Sequence, residues 1–216
     1  MSTPHARVIA SNEYRRERWR NGLGWTREIC RIAIAAPTIE PDIDDPWDVR
    51  LSIAEIERDA AFSIFPGIDR ELVLLSGSGL ALDFDDGECT RIDPPHGRHR
   101  FTGERAVTGR LLDGRTVDFN LMWRRDTCVA TLWHRPLVGP MVVFGSPSTF
   151  WCVHVISGHA RSDDGTLPPL HQGDTLILAA GDARMRHVLE GAGEALVIRV
   201  EPVSNGASPD LQVTIE

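Results

Sequence analysis

Residues 48–56, DVRLSIAEI, carry the alternation that decides the fold. Val49, Leu51 and Ile53 fall on one side of an extended chain, and Arg50, Ser52 and Ala54 on the other. Successive side chains of a strand point to opposite faces, so this segment predicts a strand with one apolar and one mixed face. Related short runs follow: ELVLLSG (71–77), LALDF (80–84), VDFNLM (117–122), CVATLWH (128–134), FWCVHVISG (150–158), DTLILAAG (174–181) and ALVIRV (195–200). Each is bounded by Gly, Pro, Asp or Asn, and no convincing long helix appears. The pattern predicts an all-β protein built as a sandwich or barrel.

At 216 residues the chain can bury a sizeable core without a disulfide or metal staple. Its 42% hydrophobic and 25% charged residues describe an ordinary soluble protein. The formal charge of −8 opposes nucleic-acid binding, and the apolar runs are too short to span a bilayer. The N-terminus has no apolar signal-peptide core, so a cytoplasmic location is expected, with neither nucleic acid nor membrane as partner. All 23 basic residues are arginine, which removes lysine Schiff bases and Walker lysines from consideration. Cys30, Cys89, Cys128 and Cys152 form no C-x-x-C pair, so a zinc ribbon or redox dithiol is not expected.

An internal echo sharpens the fold. LLSG (74–77), DDG (85–87), PP (94–95) and Gly103 are followed by VISG (155–158), DDG (163–165), PP (168–169) and Gly173. A strand, an acidic turn and a Pro-Gly corner before another strand is what one half of a jelly roll requires. Two β-barrel units in tandem are therefore expected, over residues 1–137 and 138–216, with an acidic, proline-rich loop at 37–48 and a final edge strand within 204–216.

This grammar resembles the cupins, small jelly-roll barrels that often hold a metal through H-x-H, a Glu and a later His. The first copy has no histidine at that position. In the second, His154 and His159 are five apart and point to opposite faces. His96 and His99 lie in a Pro-Gly loop and read as surface residues. The expectation is a cupin-type bicupin without metal or other cofactor.

The segment RWRNGLGWTREI (18–29) places a hairpin turn at Asn21-Gly22 between Trp19 and Trp25. The tryptophans either roof a pocket or plug a barrel end. In VDFNLM, Asp118, Asn120 and Met122 share a face, and in FSIF (62–65) Ser63 and Phe65 do. These mixed faces look either to water or into a lumen. Arg, Asn and Ser are directional hydrogen-bonders, unlike the Lys, Glu and Thr of a solvated face, which favours the lumen. The candidate ligand-binding residues are then Asn21, Trp25, Thr26, Arg50, Ser52, Ser63, Phe65, Asp118, Asn120 and Met122. An arginine fork suits a carboxylate, and asparagine suits an amide or formyl group. Asp118 would orient an amide or hold Arg50. Asp69 and Arg70 of PGIDR (66–70) read as an ion pair that pins a turn, ahead of a direct ligand contact.

Taken together and in order, WRNGLGWTREI (19–29), WDVRLSIAEI (47–56), AFSIFPGIDRELVLLSGSGLAL (61–82), FTGE (101–104) and VDFNLMWRR (117–125) resemble the HutD/Ves family of bacterial cupin-like proteins. One departure is visible: Leu23 stands where the family commonly has glycine. The resemblance implies a compact two-barrel fold, an association with histidine utilisation and no assigned catalytic activity. It suggests a small carboxylate such as formylglutamate as ligand, bound in a regulatory or accessory role. No G-x-S-x-G is present, so no catalytic residue is assigned. A metal-free binding protein is favoured. The alternatives are an enzyme acting on an N-formyl or amide carboxylate, with Asp118 as base, and an interaction module using VVFGSPSTFW (142–151). Pairing of sheet edges into a homodimer is compatible with the fold.

Overall fold

The computed structural model describes residues 5–34, 47–147, 149–180, 184–203 and 214–215. The loop at 37–48 and the tail at 204–216 therefore lie mostly outside the described residues. What is described is all-β, apart from one 3-10 turn at Ser11–Glu13. In chain order the strands are β1 (His5–Ile9), β2 (Arg15–Arg18), β3 (Gly24–Ala33), β4 (Val49–Ile56), β5 (Ala60–Ala61) and β6 (Ile68–Ser76). There follow β7 (Leu80–Phe84), β8 (Cys89–Ile92), β9 (Arg98–Thr102), β10 (Val107–Leu111), β11 (Thr116–Arg124) and β12 (Cys128–Gly145). The last are β13 (Phe150–Ser162), β14 (Leu170–His171), β15 (Thr175–Ala179), β16 (Met185–Pro202) and β17 (Thr214–Ile215).

They form three sheets. One runs β1-β15-β13-β16-β12 with β14 beside β13, one runs β5-β10-β7-β8, and the largest runs β17-β3-β4-β11-β6-β9 with β2 beside β3. Closed barrels were expected, yet among the described residues each sheet is an open path ending on strands with a neighbour on one side only. Both acidic turns of the echo form, Asp85–Gly87 between β7 and β8 and Asp163–Gly165 between β13 and β14.

The chain divides into two compact units that interleave along the sequence. The first comprises residues 1–13, 32–47 and 127–215, the second residues 14–31 and 48–126. The first packs an aliphatic core around Leu137, Val153, Val155, Leu176, Leu189 and Val197. Its longest strand pair, β12 on β16, runs without a register shift from Cys128 opposite Pro202 to Gly145 opposite Met185. The second unit has its core around Leu72, Leu74, Leu80, Leu82, Phe84 and Phe101. No helix among the described residues is long and apolar enough to cross a membrane.

Alternation in β4 and β11 is kept side chain by side chain. Val49, Leu51, Ile53, Phe119 and Leu121 are buried on one face. The opposite face is set by register: Met122 lies across from both Arg50 on β4 and Arg70 on β6, Asn120 from Ser52 and Leu72, and Asp118 from Ala54 and Leu74. Three rows of side chains are thereby stacked on one sheet face.

The β2–β3 hairpin closes at Gly22, whose φ of 72° the turn demands. Gly24 is needed for space: a Cβ there would sit 2.6 Å from the Glu55 carbonyl oxygen and 3.1 Å from the Trp19 ring. The first neighbour is backbone of β4 and cannot step aside. Gly24→Ala is expected to cost about 1–3 kcal/mol in a urea titration, in the range of an overpacked site. A change below about 0.5 kcal/mol would mean the hairpin floats free of β4.

Candidate functional site

The second unit encloses a cavity of about 580 Å³ over the three-row face of β4, β11 and β6. Arg50, Ser52 and Ala54 line it from β4, Asp118, Asn120 and Met122 from β11, and Arg70 and Leu72 from β6. The segment before β6 contributes Phe62, Ser63 and Phe65, and the β2–β3 hairpin contributes Trp19, Asn21 and Thr26. No histidine or cysteine is among the lining residues. The donor set is that of a hydrogen-bonding site, not of a metal centre.

Arg70 is the decisive side chain. It is 6% exposed, and its guanidinium lies 5.1–5.6 Å from the ring centres of Phe62, Phe65 and Phe101. Among the described residues its one polar contact is a long donation from Nη1 to the Ser63 carbonyl at 3.4 Å, and Nε has no partner. Among the described residues no carboxylate pairs with it. Burial, and then the positive charge of Arg50, push its pKa down to about 10. The neighbouring Asp69 does not neutralise it, contrary to the ion pair expected from PGIDR. Adjacent strand residues face opposite ways, and Asp69 accepts instead from Arg100 at 2.9 Å and Arg125 at 3.0 Å.

Arg50 is anchored. Its Nε donates to Glu28 Oε2 at 2.8 Å, while Arg31 engages the same carboxylate through Oε1 at 2.9 Å. Glu28 on β3 therefore takes the holding role anticipated for Asp118. Asp118 is fully buried and accepts from Thr116 Oγ1 at 2.8 Å on Oδ2, whereas Oδ1 has no partner. Burial raises its pKa to about 7 against the opposing pull of the Thr116 hydroxyl. Asn120 is also buried, and its Oδ1 is without a partner.

The hairpin divides its two tryptophans. Trp19 faces the cavity, donates Nε1–H to Thr26 Oγ1 at 2.9 Å and meets Phe62 edge-on at 6.3 Å. Trp25 is not among the lining residues: its indole lies under the Arg16 and Arg18 guanidiniums, 4.1 and 4.8 Å from its ring centre. One step of alternation separates it from Thr26. Asn21 reaches the rim, where its Oδ1 accepts from the Leu23 backbone N–H at 3.0 Å, which ties that oxygen to the turn.

Of the ten residues singled out from sequence, the fold brings nine to one cavity and leaves Trp25 outside. It adds Arg70, Phe62 and Trp19. Reading the faces of β6 as those of β4 were read would have found Arg70, which shares its side with Leu72. The histidines stand apart from the cavity. His154 is buried beside Thr175 Oγ1 at 3.0 Å, and His159 is exposed. His99, expected on a surface loop, belongs to β9 and stacks on Phe101 at 6.0 Å.

A family model described as HutD matches residues 11–197. Protein Ves from Cronobacter sakazakii (strain ATCC BAA-894) is 35% identical over 152 residues, covering 70% of this chain and 76% of that protein. An uncharacterized 21.2 kDa protein in the hutC 3′ region of Pseudomonas putida is 36% identical over 116 residues, 54% of this chain and 57% of that one. The solved structure of HutD from Pseudomonas fluorescens SBW25 superposes with a TM-score of 0.76 at 25% identity, covering 92% of this chain and all of that one. More distant solved structures, a bacterial pirin among them, share the cupin-like fold alone.

Proposed function

The chain belongs to the HutD family, and on that premise we propose that its cavity binds a small carboxylate, formylglutamate-like or another histidine-pathway metabolite, in an accessory or regulatory role. One observation carries this reading. Arg70 is buried among three phenylalanines, paired to no carboxylate among the described residues, and faces the same cavity as Arg50. A buried guanidinium costs stability unless an anion meets it, and the bidentate fork matches a carboxylate. The P. putida relative's position in a hutC 3′ region accords with a histidine-pathway ligand. On the same reading the two compact units are two cupin-type halves in tandem, which the sequence echo supports.

The test is a thermal-shift screen against formylglutamate, glutamate, urocanate and histidine, repeated with a chelator. A ligand at 100 times its Kd adds about 2.7 kcal/mol, or roughly 5–10 °C for a domain of this size. A chelator-insensitive shift with one of the four is expected, and a flat response to all four rejects the reading. In the same assay Arg50→Ala should weaken binding about tenfold, a modest loss because Glu28 already shares that guanidinium. Unchanged affinity would remove Arg50 from the site.

A second reading, an enzyme acting on an N-formyl or amide carboxylate, is favoured by Asp118 alone. A carboxyl with its pKa raised to about 7 has the poise of a general base. Ligand recovered unchanged after hours with the protein rejects the enzyme; its steady loss selects it.

A further inference from the structure

Alternation on β12 leaves a row of apolar side chains facing outward, in the unit that does not hold the cavity. From Leu137 to Gly145 the odd-numbered residues turn inward: Leu137 and Val143 are buried in the aliphatic core, and Met141 packs against it. The two-residue period sends Val138, Pro140, Val142 and Phe144 to the opposite side. Val138, Val142 and Phe144 are 85%, 42% and 66% exposed, and they are three of the five large hydrophobic side chains exposed among the described residues. Apolar surface gathered into one row marks a contact surface. Of VVFGSPSTFW, the apolar segment read as an interaction module, Val142 and Phe144 carry the exposed part, whereas Val143 and Phe150 are buried.

The charges beside this row decide what covers it. Register sets β16 next to it on the same face, with Arg186 opposite Phe144, Val188 opposite Val142 and Glu190 opposite Pro140. Val188 is midway between a cation and an anion, as Val142 is midway between Phe144 and Pro140. Arg186 is exposed and has no ion-pair partner among the described residues. Glu190 Oε2 accepts from Arg161 Nη2 of β13 at 3.0 Å, and its side chain is still 43% exposed. Consider a two-fold axis lying in the plane of contact and crossing the strands at Val142 and Val188. It sets each Arg186 over Glu190 of the second copy and each Phe144 over Pro140 of the second copy. Sheets packed face to face lie about 10 Å apart, a gap that an arginine and a glutamate bridge between them. A two-fold interface requires this self-complementarity, since residue i meets j while j meets i, and a foreign partner imposes no such condition.

We propose that the outer face of the β12–β16 pair is the interface of a homodimer, with Val142 and Val188 on the axis and an Arg186–Glu190 pair at each end. The two copies meet face to face, not edge to edge, and the proposal is independent of what the cavity binds. The row is short, so the contact belongs to the small, transient class, with an expected dissociation constant of about 1–100 µM.

The experiment is sedimentation equilibrium of the full chain over loading concentrations from about 1 to 300 µM, which span that range. The average mass is expected to climb from that of one chain towards that of two. Val142→Asp sets two like charges on the axis and should keep the chain monomeric throughout. Arg186→Glu and Glu190→Arg each bring like charges together at both ends and should weaken association roughly 10- to 100-fold. Mixed in equal amounts, these two variants regain both opposite-charge pairs and should associate as the parent does. Urea midpoints near that of the parent show that each variant is folded. Arg186 and Glu190 lie on the solvent face, so the charge variants still decide the matter if Val142→Asp unfolds. A chain that stays monomeric at every concentration overturns the proposal and leaves the row to a different partner. A dimer indifferent to Val142→Asp and to both charge variants overturns it too, having formed on another surface. Single variants that weaken association yet fail to recover on mixing overturn the two-fold placement.

Discussion

Arg70→Met is expected to weaken the proposed carboxylate binding by roughly 30- to 700-fold and, at the same time, to make the empty protein more stable. Both effects follow from one fact: the Arg70 guanidinium is buried with no carboxylate among the described residues paired to it. In the complex it would supply charge-assisted hydrogen bonds to the ligand, and removing it leaves the ligand's charge facing Phe62, Phe65 and Phe101. Truncating one partner of a buried charge pair costs about 2–4 kcal/mol, or roughly 30- to 700-fold in affinity. In the free protein the sign reverses. Methionine fills a similar volume, needs no partner and suits the three aromatic rings, so a gain of about 1–2 kcal/mol in urea unfolding is expected. Fluorescence or calorimetric titration reads the first effect and denaturation the second. If Arg70→Met binds carboxylates normally, Arg70 is a structural post; if it unfolds the protein, the cation is needed for the fold, not for a ligand.

The second large effect is electrostatic and depends on pH. Asp118 has a folded-state pKa of about 7 against an ordinary value of 3.8, with burial as the main cause. The unfolded chain therefore gives up this proton first. Its contribution to stability is intact below about pH 4 and is lost progressively as pH rises towards and past 7. Across that window the loss amounts to about 4 kcal/mol. Asp118→Asn removes the ionisation and can still accept from Thr116. The variant should match the parent near pH 4 and exceed it by about 3–4 kcal/mol at pH 8.5, read as urea midpoints at the two pH values. An advantage that is the same at both pH values would mean the carboxyl stays ionised throughout, with water reaching Oδ1.

Much of this site was legible in the sequence because β4 and β11 obey the two-residue period without interruption. Knowing that Leu51 is core is enough to place Arg50 and Ser52, and Phe119 does the same for Asp118 and Asn120. The two residues misplaced share one cause. Trp25 was grouped with Thr26, and Arg70 with Asp69, because they adjoin in the chain, and in a strand adjoining residues are the ones that part company. Register was beyond reach. Nothing in the sequence says that Arg50 and Arg70, twenty positions apart, both lie across from Met122, since that depends on how β4 and β6 flank β11. Sheet closure was beyond reach too: the echo of turns and corners specifies strands and reversals, and open and closed sheets use the same ones.

The longest strand pair has a bearing on how these molecules behave when crowded. Among the described residues β12 has a neighbour, β16, on one side only, and its other backbone edge runs for eighteen residues past the exposed Val138, Val142 and Phe144. Such an edge would ordinarily template a foreign strand and seed fibrils. Pro136 and Pro140 interrupt it near its middle, each without an amide hydrogen to offer. An incoming strand thus meets gaps in the hydrogen-bond ladder beside the apolar stretch that would otherwise attract it. The two prolines act as gatekeepers, keeping a sticky edge from becoming a nucleus for aggregation.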